Sequence, residues 1–425
     1  MRLARGRGRV RGPAGELAGS SSAELSQDLG LDVACALEAS AGPASEGRVT
    51  LACGRYNVTL FRHLEPGVSP ALEVGRFLTE KAAFPHALSL VGAVELLQSR
   101  RDSMTAAAIH IAQPAQGTAW HHTVDGLGAY FERALTRAAP PPALPGQPLL
   151  DLAASEPPPA AHESIGPYLR EAILLGQRTA ELHRALSSNA EDAAFAPEAF
   201  TWYYQRSLYQ TLRTLTKEAT AMLRRQMRGL SVPARTEAQR ILDMEEESLR
   251  VSRIINERRL SGLRIRCHGD LHLGRVLYTG KDFLFTGFEG DLRRSLAERR
   301  AKRAAFTDVV AVLRSFHYAS YSALYGRDIQ GLVRQEDLAA LDSWARYWET
   351  WVCAAFLRGY LEAAKGSTFL PKTPGEMQLL LSTLLREKAL RELIYTLSHR
   401  REWVSMALKG LSRLLEAVTP VSAAR

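Results

Sequence analysis

The chain has 425 residues, 46% hydrophobic and 23% charged, a balance that supports a buried core in two or three domains or one two-lobed enzyme. Its net charge of +9 comes from arginines dispersed among acids and apolar residues, as in "RLSGLRIR" and "LAERRAKR"; they read as solvated helix faces, and no nucleic-acid motif accompanies them, so a nucleic-acid partner is not expected. Four scattered cysteines (Cys35, Cys53, Cys267, Cys353) without a CxxC pair exclude a local zinc site and give no sign of a disulfide framework, as expected in a reducing cytoplasm. No apolar run reaches the length of a membrane span, and the basic start "MRLARGRGRVRG" lacks a following apolar stretch, so a cytoplasmic protein is expected.

The first fifty residues are rich in Gly, Ala, Ser and Arg, with weak periodicity. "SEGRVTLACGRYNVTLFRHL" then alternates apolar and polar residues and predicts two strands joined at Cys53-Gly54-Arg55. After the turn "LEPGVSP", the apolar spacing of Leu72, Val74, Phe77 and Leu78 predicts a helix. "LSLVGAVELLQS" and "SMTAAAIHIAQP" predict further strands, which completes a β-rich lobe over 46–114. Helical patterns dominate 115–425. The Pro-rich "AAPPPALPGQP" and "SEPPPAAHES" read as exposed excursions between helices, and three long helical patterns follow, up to Leu260. "RCHGDLHLGRVLYTGKDFLFTGFEGD" interrupts them as strand, loop and strand, and three more helical runs extend to about Leu397. The expected fold class is α+β: a β-rich N-lobe and a mainly helical C-lobe with a small catalytic β-hairpin. That is the layout of bilobal protein-kinase-like phosphotransferases, whose active site lies in the cleft between lobes.

Phosphoryl transfer requires charge neutralisation and positioning. Its parts are a strand lysine on the phosphates, a helix glutamate holding that lysine, a catalytic-loop Asp as base, and metal ligands just beyond it. His268-Gly269-Asp270 fits the catalytic loop, with Asp270 as base and His268 bracing the backbone. A metal-binding amide is expected five residues on, where Arg275 stands; a guanidinium is donor-only and cannot ligate Mg²⁺. Gly287 occupies the strand-turn position of a chelating Asp. Glu289 would face the same side if the chain stays extended, and could substitute for it. On the N-lobe strand, Thr59 occupies the slot of the phosphate-binding lysine, while Glu73 or Glu80 could still supply the helix acid.

These residues, with "LFRHLEPGVSPALEVGRFLTEKAAFP", "LRSFHYASY", "WVCAAFLRGYLEAA" and "EKALRELIYTL", resemble bacterial maltokinases, including the maltokinase domain fused to trehalose synthase. The match runs from about Arg11 to the C-terminus. It implies an aminoglycoside-phosphotransferase-like kinase fold, ATP and Mg as cofactors, and phosphorylation of maltose to maltose 1-phosphate for α-glucan synthesis. It also implies maltose or a related sugar as ligand, with trehalose synthase as a partner. Carried over by position, it assigns Asp270 as base and Glu289 to the metal loop. The family's "LKLFRRLEPG" makes Thr59 the replacement of its lysine, "HGDLHLGQVL" makes Arg275 the replacement of its glutamine, and "DFEGEP" makes Gly287 the replacement of its aspartate. In "YTLSHRR", Thr396, Ser398 and His399 depart from "YELNNRP". Residues 1–45 correspond to a remnant of the family's N-terminal cap region.

Three parts of the ATP–Mg machinery are thus altered together, and loss of one transition-state contact commonly lowers rate by roughly two to three orders of magnitude. The expected function is an impaired or inactive maltokinase. The alternatives are a pseudokinase that binds a sugar or protein partner, and a kinase for a cationic small molecule, which the positive net charge disfavours. For Arg275 two roles are open: holding a phosphate in place of the metal, or pairing with Glu289 or Asp291. Trp344, Tyr347, Trp348 and Trp351 are spaced as one apolar helix stripe and read as core before a sugar-stacking face. His121, His122 and His317 have no partners at metal-ligand spacing.

Overall fold

Alternating apolar residues produce the strands. In the computed structural model, which describes residues 9–13, 15–22, 25, 38–39, 48–53, 55–98, 102–137, 139–325 and 337–416, these are β1 (Arg9–Gly12), β2 (Gly15–Ser21), β3 (Glu38–Ala39), β4 (Arg48–Cys53), β5 (Tyr56–Phe61), β6 (Leu90–Leu97), β7 (Met104–Ile111), β8 (Gly117–Thr118), β9 (Glu198–Ala199), β10 (Leu263–Arg264), β11 (Val276–Tyr278) and β12 (Phe283–Phe285). The chain divides into two compact units. One comprises Met1–Ala119, Leu182–Ala196 and Arg266–Lys302; the other comprises Trp120–Glu181, Pro197–Ile265 and Arg303–Arg425.

The first unit is built on an antiparallel sheet of order β1-β2-β6-β7-β5-β4-β3. Period-two alternation gives β5 two apolar faces. Tyr56 and Val58 pack with Leu25, Val91, Ile109 and Ile111. Phe61 packs on the other side with Leu90, Ala93, Ala108 and Leu72 of the helix α1 (Pro70–Arg76). Leu72, Val74, Phe77 and Leu78 are all buried, as their spacing requires. The helix does not run straight through them: from Phe77 to Lys81 it widens into one π turn. The two strands expected before it are β4 and β5, with Gly54 outside the described residues. Within the segment expected as a cap remnant, residues 9–21 form β1 and β2, and β2 pairs with β6 from Glu16↔Leu97 to Ser21↔Gly92. Much of the remaining segment, Cys35 included, lies outside the described residues. A second small sheet, β12-β11-β8, contains the hairpin anticipated after the HGD motif.

Helices follow as α2 (Ala119–Leu135), α3 (Leu149–Ala154), α4 (Pro159–Ile165), α5 (Tyr168–Leu186), α6 (Trp202–Gln226), α7 (Val232–Asp243), α8 (Glu245–Ser252), α9 (Leu296–Arg300), α10 (Phe306–Tyr325), α11 (Leu338–Ala363), α12 (Pro374–His399) and α13 (Val404–Glu416). All but α9 belong wholly or largely to the second unit. The Pro-rich stretches start short helices: Pro148 precedes α3, and Pro158-Pro159 opens α4, where a missing N–H removes no helical bond. Leu212, Ala219 and Leu223 of α6 pack with Leu390 and Leu393 of α12 and Leu408 and Leu411 of α13. Trp344, Tyr347, Trp348 and Trp351 on α11 are all buried, so the aromatic stripe is core. Gly176 of α5 and Gly359 of α11 allow the closest helix approach: a methyl on either would collide with a carbonyl of the other helix, at Phe356 and Ile173. The strands β9 and β10 pair, and Ile265 and Arg303 exchange two backbone hydrogen bonds of 2.9 Å.

A charged network is buried in the helical unit. Arg314 of α10 donates through Nε to Glu392 at 2.8 Å, and His317 meets Glu349 through Nδ1 and the Met406 carbonyl through Nε2, both at 3.0 Å. Burial by itself would raise the Glu349 carboxyl, but His317, Arg413 and Arg314 outweigh it and hold the group down at about 2. Its ordinary value is 4.5, so its contribution is complete above pH 4.5 and is lost as pH falls toward 2. Acid unfolding followed by circular dichroism should therefore steepen below pH 4.5, and Glu349→Gln should flatten that region while lowering stability at pH 7 by about 2–4 kcal/mol.

Candidate active site

The residues singled out around the HGD motif converge within the first unit. Gly269 has a φ of 83°, a left-handed conformation that costs little only for glycine, and this turn brings His268 and Asp270 together. The His268 Nδ1 accepts from the Asp270 backbone N–H at 3.4 Å, and its Nε2 donates to the Thr286 carbonyl at 2.9 Å. His268 thus ties the HGD loop to the end of β12, one residue before Gly287. Its ring also lies 4.9 Å from that of Phe288.

After Thr286 the chain does not stay extended. Gly287 (φ 80°) and Gly290 (φ 73°) bracket a turn at Phe288-Glu289. The extended geometry expected for Glu289 fails because both flanking glycines are left-handed. The turn nonetheless buries the Glu289 side chain, which is 3% exposed.

Arg275 closes a single 3₁₀ turn, Leu273–Arg275, and its guanidinium joins the two carboxylates. Nη1 donates to Glu289 Oε1 at 2.8 Å, and Nη2 donates to Asp270 Oδ2 at 3.3 Å. The Arg275 side chain is only 9% exposed. Of the two acids considered as its partners, Glu289 takes that role and Asp291 does not. Asp291 binds Arg293 instead, and although burial opposes it, that hydrogen bond keeps its carboxyl below the usual value.

Glu73 has different partners from the lysine expected of it. Its carboxylate accepts from Arg266 Nη2 at 2.6 Å and from Arg300 Nη2 and Nε at 2.7 and 3.2 Å. Burial pushes the Arg266 guanidinium down against the pull of Glu73, whereas the hydrogen bond to Glu73 raises that of the more exposed Arg300. Arg299, the preceding residue, pairs with Glu65 and donates to the Glu289 carbonyl at 3.0 Å. Thr59 is buried on β5 opposite Thr50 and Ala108, on the face that carries Phe61. Glu80 lies on the π turn and not beside Glu73 on α1. Sequence reasoning missed Arg266, Arg299 and Arg300. The available signal was chemical: a helix acid left without its lysine needs another cation, and "RIRC" and "LAERRAK" flank the motif.

These residues do not fit a bound Mg²⁺. Asp270 and Glu289 already share one guanidinium, Gly287 offers no side chain, and among the described residues no group of three His, Cys, Asp or Glu is arranged to hold a metal. The expected nucleotide lysine is absent at Thr59. The arrangement can fix a loop, neutralise charge and present Asp270, whose side chain is 22% exposed.

Comparison with solved structures establishes the fold as the bilobal, α+β, protein-kinase-like one expected from the sequence. A glucosamine kinase in complex with glucosamine, ADP and inorganic phosphate superposes with a TM-score of 0.65 at 18% identity, covering 98% of this chain and 96% of its own. Crystal form A of glucosamine kinase gives 0.64 at 20% identity, covering 96% and 85%. No family model matches the sequence.

Removing one partner of a buried ion pair leaves a charge without compensation, which is destabilising by roughly 3–5 kcal/mol. Arg275→Gln should therefore lower stability by about that amount in denaturant titration, through Glu289. Adding Glu289→Gln should restore most of the loss, and Arg275→Gln with no measurable loss would show the pair to be dispensable.

Proposed function

We propose that this chain is a catalytically silenced sugar kinase: a pseudokinase that keeps the phosphotransferase fold and serves as a sugar- or partner-binding module. The observation that carries the reading is the Arg275 guanidinium shared by Asp270 and Glu289. A general base must be able to accept the substrate proton. Here the carboxylate that would do so is engaged by a fixed cation, and the same cation occupies the acid nearest to it. Thr59 adds to this, since nothing on β5 replaces the ammonium that would steady the phosphates. No ATP- or Mg-dependent step is assigned to the chain.

The resemblance to maltokinases supports maltose or a related neutral α-glucan sugar as ligand, and a place beside trehalose synthase and α-glucan synthesis in the cytoplasm. The glucosamine kinase bound to its sugar and ADP supports a sugar ligand in the same general sense. In this reading 46–114 is the vestigial nucleotide side and 115–425 carries the catalytic loop and the sugar side. One observation favours a slow kinase as second reading: His268 still holds the HGD turn in order, so the base is correctly presented.

Incubation with ATP, Mg²⁺ and maltose, followed by ³¹P NMR for maltose 1-phosphate, separates the two. The wild-type chain should give no product while maltose raises its melting temperature saturably. The triple variant Thr59→Lys, Arg275→Gln, Gly287→Asp should give measurable product, though below family rates. The aspartate introduced in place of Gly287 must adopt a left-handed φ, and Glu73 is held by Arg266 and Arg300. Product from the wild type would establish the slow kinase. A folded triple variant without product would remove descent from a maltose kinase as the explanation.

A further inference from the structure

Away from the Asp270 side of Glu289, the first unit contains a pocket of about 260 Å³ between the end of β5, the loop into α1 and the segment after the Phe288-Glu289 turn. Phe61, Leu292 and Leu296 give it an apolar wall, and Ser69 and Thr105 add hydroxyls. Its charged border is already balanced. Arg299 pairs with Glu65, which His63 also faces at 3.9 Å, Arg293 is bound through two nitrogens to Asp291 at 2.8 and 3.1 Å, and Glu289 holds Arg275. Such a site has no uncompensated charge to attract a phosphate, a carboxylate or an ammonium group.

Size narrows the occupant further. Pockets for drug-sized ligands run to roughly 300–1,000 Å³, so about 260 Å³ suits a single ring. The wall chemistry then fixes the type of ring. Ser69 stands at the N-cap of α1 without making a side-chain capping bond, so its hydroxyl is not spent on the helix. Thr105 is 6% exposed, and a buried hydroxyl is favourable only with a hydrogen-bonding partner. The Glu65–Arg299 pair offers acceptors and donors beside them. A ligand with one C–H face for Phe61 and the two leucines, and a rim of groups that both donate and accept, satisfies every element at once.

We propose that this pocket binds a neutral monosaccharide, one pyranose ring with its C–H face on Phe61 and its hydroxyl edge toward Ser69, Thr105 and the Glu65–Arg299 pair. The occupant would abut Glu289, the residue that pairs with Arg275. This inference does not rest on the catalytic silence argued above, nor on maltose as ligand.

The test uses the full chain and D-glucose, titrated by saturation-transfer NMR and by thermal shift. Saturable glucose binding is expected, weakened at least tenfold in Thr105→Val and in Ser69→Ala, with the melting temperature of the free protein little changed. Leu292→Trp, which fills the pocket, should abolish binding, and Asp270→Asn should leave glucose affinity unchanged. Glucose 6-phosphate and glucosamine should bind no better than glucose. Absence of saturable glucose binding would overturn the proposal. So would binding that survives Leu292→Trp but is lost in Asp270→Asn, an outcome that moves the sugar to the catalytic segment and leaves the preceding reading intact. Preference for a flat aromatic probe such as indole over glucose would overturn the ligand class. A maltose-induced shift that persists when glucose fails would leave the silenced-kinase reading standing alone.

Discussion

A guanidinium held between two carboxylates organises the HGD segment of this protein. Arg275, Asp270 and Glu289 come from a 3₁₀ turn, a left-handed glycine turn and a second glycine-bracketed turn, and no one of these turns has a long helix or strand to stabilise it. Burying Glu289 in such a setting requires a counter-charge, because an isolated carboxylate in low dielectric is unfavourable by several kcal/mol. Here the covalently attached cation of Arg275 provides that charge. The arrangement is self-consistent as a structure: the guanidinium that pairs with Asp270 also supplies the charge that the burial of Glu289 requires.

Arginine plays the same pairing role nearby. Arg266 and Arg300 satisfy Glu73, and Arg299 satisfies Glu65. Arginine suits these roles because its planar donors meet a carboxylate along two directions and its charge persists when buried. A lysine at position 59 would enter a region where the nearest expected acid is already engaged twice. Glu73 therefore has its counter-charge in Arg266 and Arg300.

Much of the architecture was legible because it rests on periodicity. Strands β4 to β7, the helix spacing of Leu72 to Leu78 and the burial of the Trp344–Trp351 stripe all follow from which residues repeat on one face. The π turn after α1 was not legible, since a register change of one residue leaves the apolar spacing nearly untouched. Helix α13 lies beyond the last helical run expected from the sequence, although Val404, Leu408, Leu411 and Leu415 repeat at helical spacing and made it legible in principle. At the site, Asp270, His268, Arg275 and Glu289 could be grouped from motif spacing. The Arg266–Glu73 contact could not, since its partners lie 193 residues apart and no local pattern records such a distance.

The pairing of Ile265 with Arg303 bears on how this segment is held. Those two residues close a β-bridge at the points where the chain leaves and re-enters the helical unit, so the stretch from Arg266 to Lys302 is an excursion with pinned ends. Loop-closure entropy grows only as the logarithm of length, and most of it is offset once the ends are joined. The turns that carry Asp270, Arg275 and Glu289 therefore lie on a closed loop, and the two backbone hydrogen bonds between Ile265 and Arg303 shorten the effective chain that has to be ordered around them.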